Sequence, residues 1–254
     1  MIDLSVIIPT YNAKAHAHAT ARTLTRRLAE AGLNAEVLLV DDGSRVAERP
    51  SAGELPPGAS VVQIDTNRGK GHAVRAGLLA ASGLRRIFTD VDLPYGTDAL
   101  LECYAALGEA DFVYGDRSLP ESKVLSQLQK RRKLSSLGFR LAVQSITGLE
   151  QADTQCGLKG LRGEIADEIL PLLKTDRFAF DVEIFQCARD RRLTTRPIPV
   201  QLLNGHGSTV RLFRDSIVML RDLLAIRARS LRGQYRTAKV EAAPGLQRPE
   251  VSKA

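Results

Sequence analysis

The chain has 254 residues, 44% of them apolar, 5% aromatic and none Trp. This composition argues against a β-sandwich and for one large α/β domain with a Val/Ile/Leu-packed sheet under helices. The net charge of +7 suits an anionic partner (nucleic acid, acidic lipid or a phosphorylated ligand) or a merely solvated basic surface.

Leu4-Ser-Val-Ile-Ile8 is a continuous apolar run ended by Pro9, the pattern of a buried strand. Asp3 interrupts the N-terminus early, so no secretory signal is expected. Residues 15–31 read as a helix stopped by Gly32, and Glu36–Val40 as a second strand entering Asp41-Asp42-Gly43. Pro50, Pro56 and Pro57 make 45–58 a loop before a third strand, Ser60–Ile64. A helix over 70–82 stops at Gly83, and a fourth strand from Arg86 to Thr89 leads into Asp90-Val-Asp92. Apolar strands alternating with helices are the grammar of a parallel sheet.

Asp111–Tyr114 reads as a further strand and 122–147 as a long basic helix holding Lys130-Arg-Arg-Lys133. Two more helices are predicted over 164–174 and 180–192, with Arg196–Val200 as a proline-bearing edge strand. Over 210–229 an amphipathic helix places Leu212, Phe213, Ile217, Leu220, Leu223 and Leu224 on one side, opposite Arg211, Asp215, Asp222 and Arg229. Residues 236–254 are polar and are expected to be disordered. No window reaches the roughly 18 apolar residues of a membrane span. Cys103, Cys156 and Cys187 are scattered, which argues against a zinc ribbon or disulfide framework and for a reducing compartment.

Ligands of open α/β sheets bind beyond the C-terminal strand ends. There the four strands deliver Pro9-Thr-Tyr-Asn12, Asp41-Asp42-Gly43-Ser44, Asn67-Arg-Gly-Lys-Gly71 and Asp90-Val-Asp92. Asp90 and Asp92, two residues apart at a strand end, are expected to point the same way and to repel unless a cation lies between them. Mg²⁺ or Mn²⁺ takes such oxygens and shares them with phosphate. The glycines at 69 and 71 permit close backbone approach, and Arg68 and Lys70 supply cations, although the spacing is not that of a P-loop. Asp41 and Asp42 either accept hydrogen bonds from a base or ribose, or cap the next segment.

Ser5-Val-Ile-Ile-Pro-Thr-Tyr-Asn12, Val40-Asp-Asp-Gly-Ser44, Asn67–Gly71 and Thr89-Asp-Val-Asp-Leu-Pro94 together resemble the GT-A fold glycosyltransferases of family 2. Asp153-Thr-Gln-Cys-Gly-Leu-Lys159, Arg177-Phe-Ala-Phe-Asp-Val-Glu183, Gly207-Ser208 and Arg211-Leu-Phe-Arg-Asp215 resemble its polyprenyl-phosphate branch, that of dolichyl-phosphate mannosyltransferases and undecaprenyl-phosphate glycosyltransferases.

The resemblance implies a Rossmann-like, mostly parallel sheet flanked by helices. It implies a GT-A catalytic domain over 1–205, while periodicity and composition set a basic amphipathic helix, a membrane-surface element, over 206–235 and a disordered tail over 236–254. Pro9, Tyr11, Asp41 and Asp42 would hold the nucleotide, with Lys70 nearby. Asp90 and Asp92 would hold Mg²⁺ or Mn²⁺ and the diphosphate. Arg117 with Arg131 or Arg132 would grip an acceptor phosphate. Gln155 and Lys159 would line the sugar, with Asp181 and Glu183 beside it. Ala13 stands where many members carry an acidic residue, and Pro94 where some offer Gln.

The expected activity is inverting transfer of a hexose from a nucleotide-diphosphate sugar (GDP-mannose or UDP-glucose type) to a polyprenyl phosphate. A phosphate acceptor needs no strong base. A soluble hydroxyl acceptor, the alternative, would need Asp181 or Glu183 as base. A nucleotidyltransferase would carry a Gly-rich loop after the first strand, where Pro9–Asn12 stands instead. No RNA- or DNA-binding motif is present, so no nucleic-acid partner is expected. A cytoplasmic protein, peripheral on an anionic membrane face, is the expected setting.

Overall fold

A computed structural model describes residues 1–124, 129–151, 153–203, 212–236 and 251–253, with the side chains of 124, 129–137, 212–217 and 251–253 excepted. The first half follows the predicted alternation: β1 (Leu4–Thr10), α1 (Lys14–Glu30), β2 (Ala35–Asp42), β3 (Ala59–Ile64), α2 (Lys70–Ala80) and β4 (Arg85–Phe88). Next come α3 (Gly96–Ala106), β5 (Phe112–Asp116), β6 (Lys123–Val124), α4 (Gln129–Thr147), β7 (Lys159–Arg162) and α5 (Gly163–Ile169). The chain continues through α6 (Phe180–Asp190), β8 (Thr195–Pro199), β9 (Gln201–Leu202), α7 (Leu212–Leu231) and β10 (Val251–Lys253).

The main sheet runs β10-β3-β2-β1-β4-β7-β5-β8. β3, β2, β1 and β4 are parallel, as are β5 and β8, while β7 is antiparallel to both β4 and β5. Both faces are covered, as a parallel sheet requires. Side-chain alternation sends Ile7, Val40 and Phe88 into a core with α2, α5, α6 and α7. The neighbouring Val6, Ile8, Leu39 and Ile87 face α1 and α3 on the other side. Gly77 lets α2 lie directly on β1 and β2, since a Cβ there would come 2.5 Å from Ile7 and 2.6 Å from Val40.

Four expectations change. The predicted helix over 122–147 begins instead with β6, and α4 starts at Gln129. α3 and β7 were not anticipated, β7 being only four residues long. Val251–Lys253, within the tail expected to be disordered, pairs antiparallel with β3. The apolar stripe of α7 is divided: Leu223 and Ile226 are buried, whereas Leu220 and Leu224 are 47% and 55% exposed. Among the described residues no helix is long and apolar enough to cross a membrane.

Candidate active site

The polar clusters at the strand ends are joined to one another. Asp42, last in β2, accepts the backbone N–H groups of Arg68 (2.9 Å) and Gly69 (2.8 Å), so it holds the loop that leads into α2 from a neighbouring strand. Gly43 makes this possible twice over: its φ is +70°, and a Cβ would sit 2.5 Å from the Asn67 nitrogen. Asp41 is fully buried and accepts Ser44 N–H at 3.2 Å, the Ser44 hydroxyl, and Gln63 Nε2 at 2.6 Å. The Ser44 Oγ in turn accepts the Asn12 N–H at 2.7 Å. Asp41 and Asp42 therefore tie the strand ends and the adjoining loops together. Pro9 is half-buried beside them, and Tyr11 stands 51% exposed.

Asp90 and Asp92 are both partly exposed just past β4. The strand ends at Phe88, so the two carboxylates lie in a turn and strand alternation does not orient them. The turn is closed by Leu93 N–H donating to the Asp90 carbonyl at 3.0 Å, with Leu93 at φ +43°. Thr20 on α1 anchors it by donating to the Val91 carbonyl at 2.5 Å. Lys70, opening α2, pairs with Asp90 Oδ1 at 2.5 Å. Burial works against the Lys70 ammonium, but Asp90 and Asp181 outweigh it and hold its pKa above the ordinary lysine value.

Lys159 of β7 is fully buried; it donates to Asp181, in the first turn of α6, at 2.8 Å and to the Cys156 carbonyl. A row of alternating charges (Asp90, Lys70, Asp181, Lys159) thus links β4, α2, α6 and β7. Gln155 lies half-buried beside it and donates its backbone N–H to Asp153 at 3.2 Å. Arg117 is held bidentate by Asp153 at 2.6 and 2.7 Å. Burial opposes both charges, yet their pairing raises the Arg117 pKa and lowers that of Asp153. In this arrangement the Arg117 guanidinium is committed to protein.

Glu183 does not belong to the group, contrary to the expectation. It is fully buried; Oε2 accepts the N–H groups of Lys174 (2.9 Å) and Thr175 (2.7 Å), while Oε1 meets the Tyr235 hydroxyl (2.7 Å) and Arg229 (2.8 Å). Four donors leave it no oxygen for a substrate, and its work is to fix the end of α7. The side chains of Arg131 and Arg132, and residues Gly207, Ser208 and Arg211, lie outside the described residues.

Sequence reasoning missed Asp176, and it placed Asp153 and Gly157 in the 153–159 motif without giving either a role. Asp176 gathers Arg68 (3.1 Å), His72 (3.4 Å) and Arg75 (2.6 Å) and so fixes the loop before α6 against α2. Its partners lie about a hundred positions away, so no local signal points to it. Among the described residues no three His, Cys, Asp or Glu side chains converge as a metal cage. What the edge offers is two partly exposed carboxylates, a donor set that fits a hard cation completed by water and phosphate oxygens.

The model of the family described as Glycosyl transferase family 2 matches residues 5–170. A dolichyl-phosphate beta-glucosyltransferase of Dictyostelium discoideum is 29% identical over 251 residues, spanning 92% of this chain and 77% of its own. An undecaprenyl-phosphate 4-deoxy-4-formamido-L-arabinose transferase of Enterobacter sp. (strain 638) is 31% identical over 171 residues, 66% of this chain and 51% of its own. Both lie in the branch that the second-half motifs resemble. Among solved structures, glucosyl-3-phosphoglycerate synthase from Mycobacterium tuberculosis, in complex with Mn²⁺, uridine-diphosphate-glucose and phosphoglyceric acid, superposes with a TM-score of 0.59. It is 17% identical and covers 90% of this chain and 79% of its own, a likeness of fold. With the matched residues running from β1 through α5, the chain belongs to glycosyl transferase family 2 and is a glycosyltransferase.

Proposed function

We propose that this protein transfers glucose, with inversion, from a UDP-glucose-type donor to a polyprenyl phosphate at the cytoplasmic membrane face. The relatives named as dolichyl-phosphate beta-glucosyltransferases support the sugar and the acceptor class. The observation that carries the acceptor reading is the state of the two carboxylates an alcohol would require as base. Asp181 is held by buried Lys159, and Glu183 by four donors. A phosphate monoester is already an oxyanion near neutral pH and needs positioning rather than deprotonation.

Asp90 and Asp92 would hold Mg²⁺ or Mn²⁺ against the donor diphosphate. The ion, when bound, would neutralise charge on the departing nucleotide diphosphate. Lys70 would add a fixed positive charge on the same side, preorganised by its pairing with Asp90. Pro9 and Tyr11 would border the base, while Gln155 and the Lys159–Asp181 pair would line the sugar. Arg117, with Arg131 or Arg132, would orient the acceptor phosphate, Arg117 exchanging part of its pairing with Asp153 for the ligand.

The test is transfer from UDP-glucose and GDP-mannose to a short polyprenyl phosphate, to the corresponding polyprenol and to 3-phosphoglycerate, with Mn²⁺ or with EDTA. UDP-glucose with the polyprenyl phosphate and Mn²⁺ is expected to dominate. Equal transfer to the polyprenol or to 3-phosphoglycerate would refute the acceptor, and full activity in EDTA would refute the ion.

A further inference from the structure

An open cavity of about 790 Å³ lies where the C-terminal ends of α6 and α7 meet. Arg189, Arg191, Arg192, Arg227 and Arg236 line it, against one carboxylate, Asp190, among the described residues. It is separate from the site above: Asp181 sits in the first turn of α6 and the cavity at its far end. Eleven helical residues span about 16 Å.

Some of this charge has a local explanation. Cations are favoured at a helix C-terminus, which accounts for Arg189, Arg191 and Arg192 at the end of α6. Arg191 also pairs with Glu168, and Arg189 lies 3.8 Å from Asp190. The end of α7 favours cations in the same way, but that does not account for Arg227 and Arg236 being brought against the arginines of α6, charges of their own sign. Among the described residues, no carboxylate pairs with Arg192, Arg227 or Arg236. Converging unpaired guanidinium groups repel unless an anion sits among them.

The rim adds a second property. At about 100° per residue, Leu220, Leu224, Arg227 and Leu231 share one stripe of α7, flanked on one side by the buried Leu223 and Ile226. Those leucines are 47%, 55% and 70% exposed, and Leu231 also lines the cavity. An arginine pocket continued by an apolar row matches a ligand that is anionic at one end and hydrocarbon at the other. We infer that this pocket is a docking site for the phosphate headgroup of an anionic phospholipid, with the leucine row of α7 entering the adjoining interface. This deepens the peripheral membrane placement proposed above and does not depend on the identity of the acceptor.

The experiment is co-sedimentation of the full chain with phosphatidylcholine vesicles and with vesicles also containing phosphatidylglycerol. Binding is expected only with the anionic vesicles, weakening with salt. Arg192→Gln/Arg227→Gln/Arg236→Gln should lower the partition coefficient on the order of 100-fold, given three charges near an anionic surface. Arg22→Gln/Arg26→Gln/Arg27→Gln, on α1 across the sheet, should leave it within about twofold. Leu220→Gln/Leu231→Gln should weaken vesicle binding without restoring it at low salt. Turnover on detergent-dispersed acceptor should be unchanged in the pocket variant, so loss of docking is read apart from loss of transfer. Equal loss in the α1 control, wild-type sedimentation of the pocket variant, or titration of the pocket by inorganic phosphate without vesicle binding would overturn the inference.

Discussion

A Cβ at position 157 would collide with the Asp90 carboxylate, so the absence of a side chain there is what lets Asp90 turn toward Lys70. Gly157→Ala would displace that carboxylate while leaving the sheet untouched. Misplacing a reacting group by about 1 Å costs roughly 100-fold. Turnover should therefore fall by about 10- to 100-fold with a melting temperature near wild type; unchanged turnover would remove Asp90 from the chemistry. A second residue governs acid sensitivity. His18 is buried, its Nδ1 faces Glu54 at 3.3 Å, and its Nε2 accepts the Ser51 N–H at 3.3 Å. Burial is the leading influence and depresses its pKa below 6.5, with Glu54 partly opposing. The unfolded chain then takes up its proton at higher pH than the folded chain does, so stability falls as pH drops through the ordinary histidine range. The protonated ring also loses the acceptor that holds the 51–54 turn. Melting curves across that range should show the decline, and His18→Gln should flatten it; an unaltered pH slope in the variant would assign the effect elsewhere.

At the scale of elements, α7 is tied to α6 through Glu183, which meets Arg229, Tyr235 and the 174–175 backbone. Removing one partner of a buried charge pair costs about 3 kcal/mol or more. Glu183→Gln should lower stability by about that amount in chemical denaturation, while the fraction that stays folded keeps its turnover. Loss of turnover at unchanged stability would instead make Glu183 a catalytic carboxylate. From sequence alone Asp181 and Glu183 look equivalent, two acids two positions apart; helical geometry sends one to the site and the other into the core. The first-half elements were legible because each buried strand is a continuous apolar run followed by a helix with a clear stop. β7 was not, because Lys159-Gly-Leu-Arg162 has a charge at each end and a glycine within. That glycine is needed: a Cβ at 160 would come 2.8 Å from Leu107 and 3.0 Å from Cys103. The Asp90–Asp92 pair was legible as a motif, but the reason given for its orientation belonged to a strand that ends earlier. Asp153 opens a motif visible in the sequence, but its pairing with Arg117 and the network of Asp176 depend on tertiary neighbours and have no local signature.

At the scale of the whole molecule, the ends of four parallel strands and the starts of three helices meet on one edge, and that edge is incomplete as an ion site by itself. Among the described residues, two carboxylates, one of them paired with Lys70, leave most of a divalent cation's positions to water and, with nucleotide present, to phosphate oxygens. Ion and nucleotide should therefore bind as a unit. UDP at about 100 times its Kd stabilises the folded state by about 2.7 kcal/mol. In a domain of this size each kcal/mol moves the melting temperature by about 2–4 °C, so UDP with Mn²⁺ should raise it by roughly 5–10 °C. Mn²⁺ alone, or UDP in EDTA, should give only a small part of that shift, and Asp92→Asn should abolish the excess seen with both. A full shift from UDP in EDTA would mean that Lys70 and the 67–71 loop hold the diphosphate without a cation. An undiminished shift in Asp92→Asn would mean that the ion is held elsewhere.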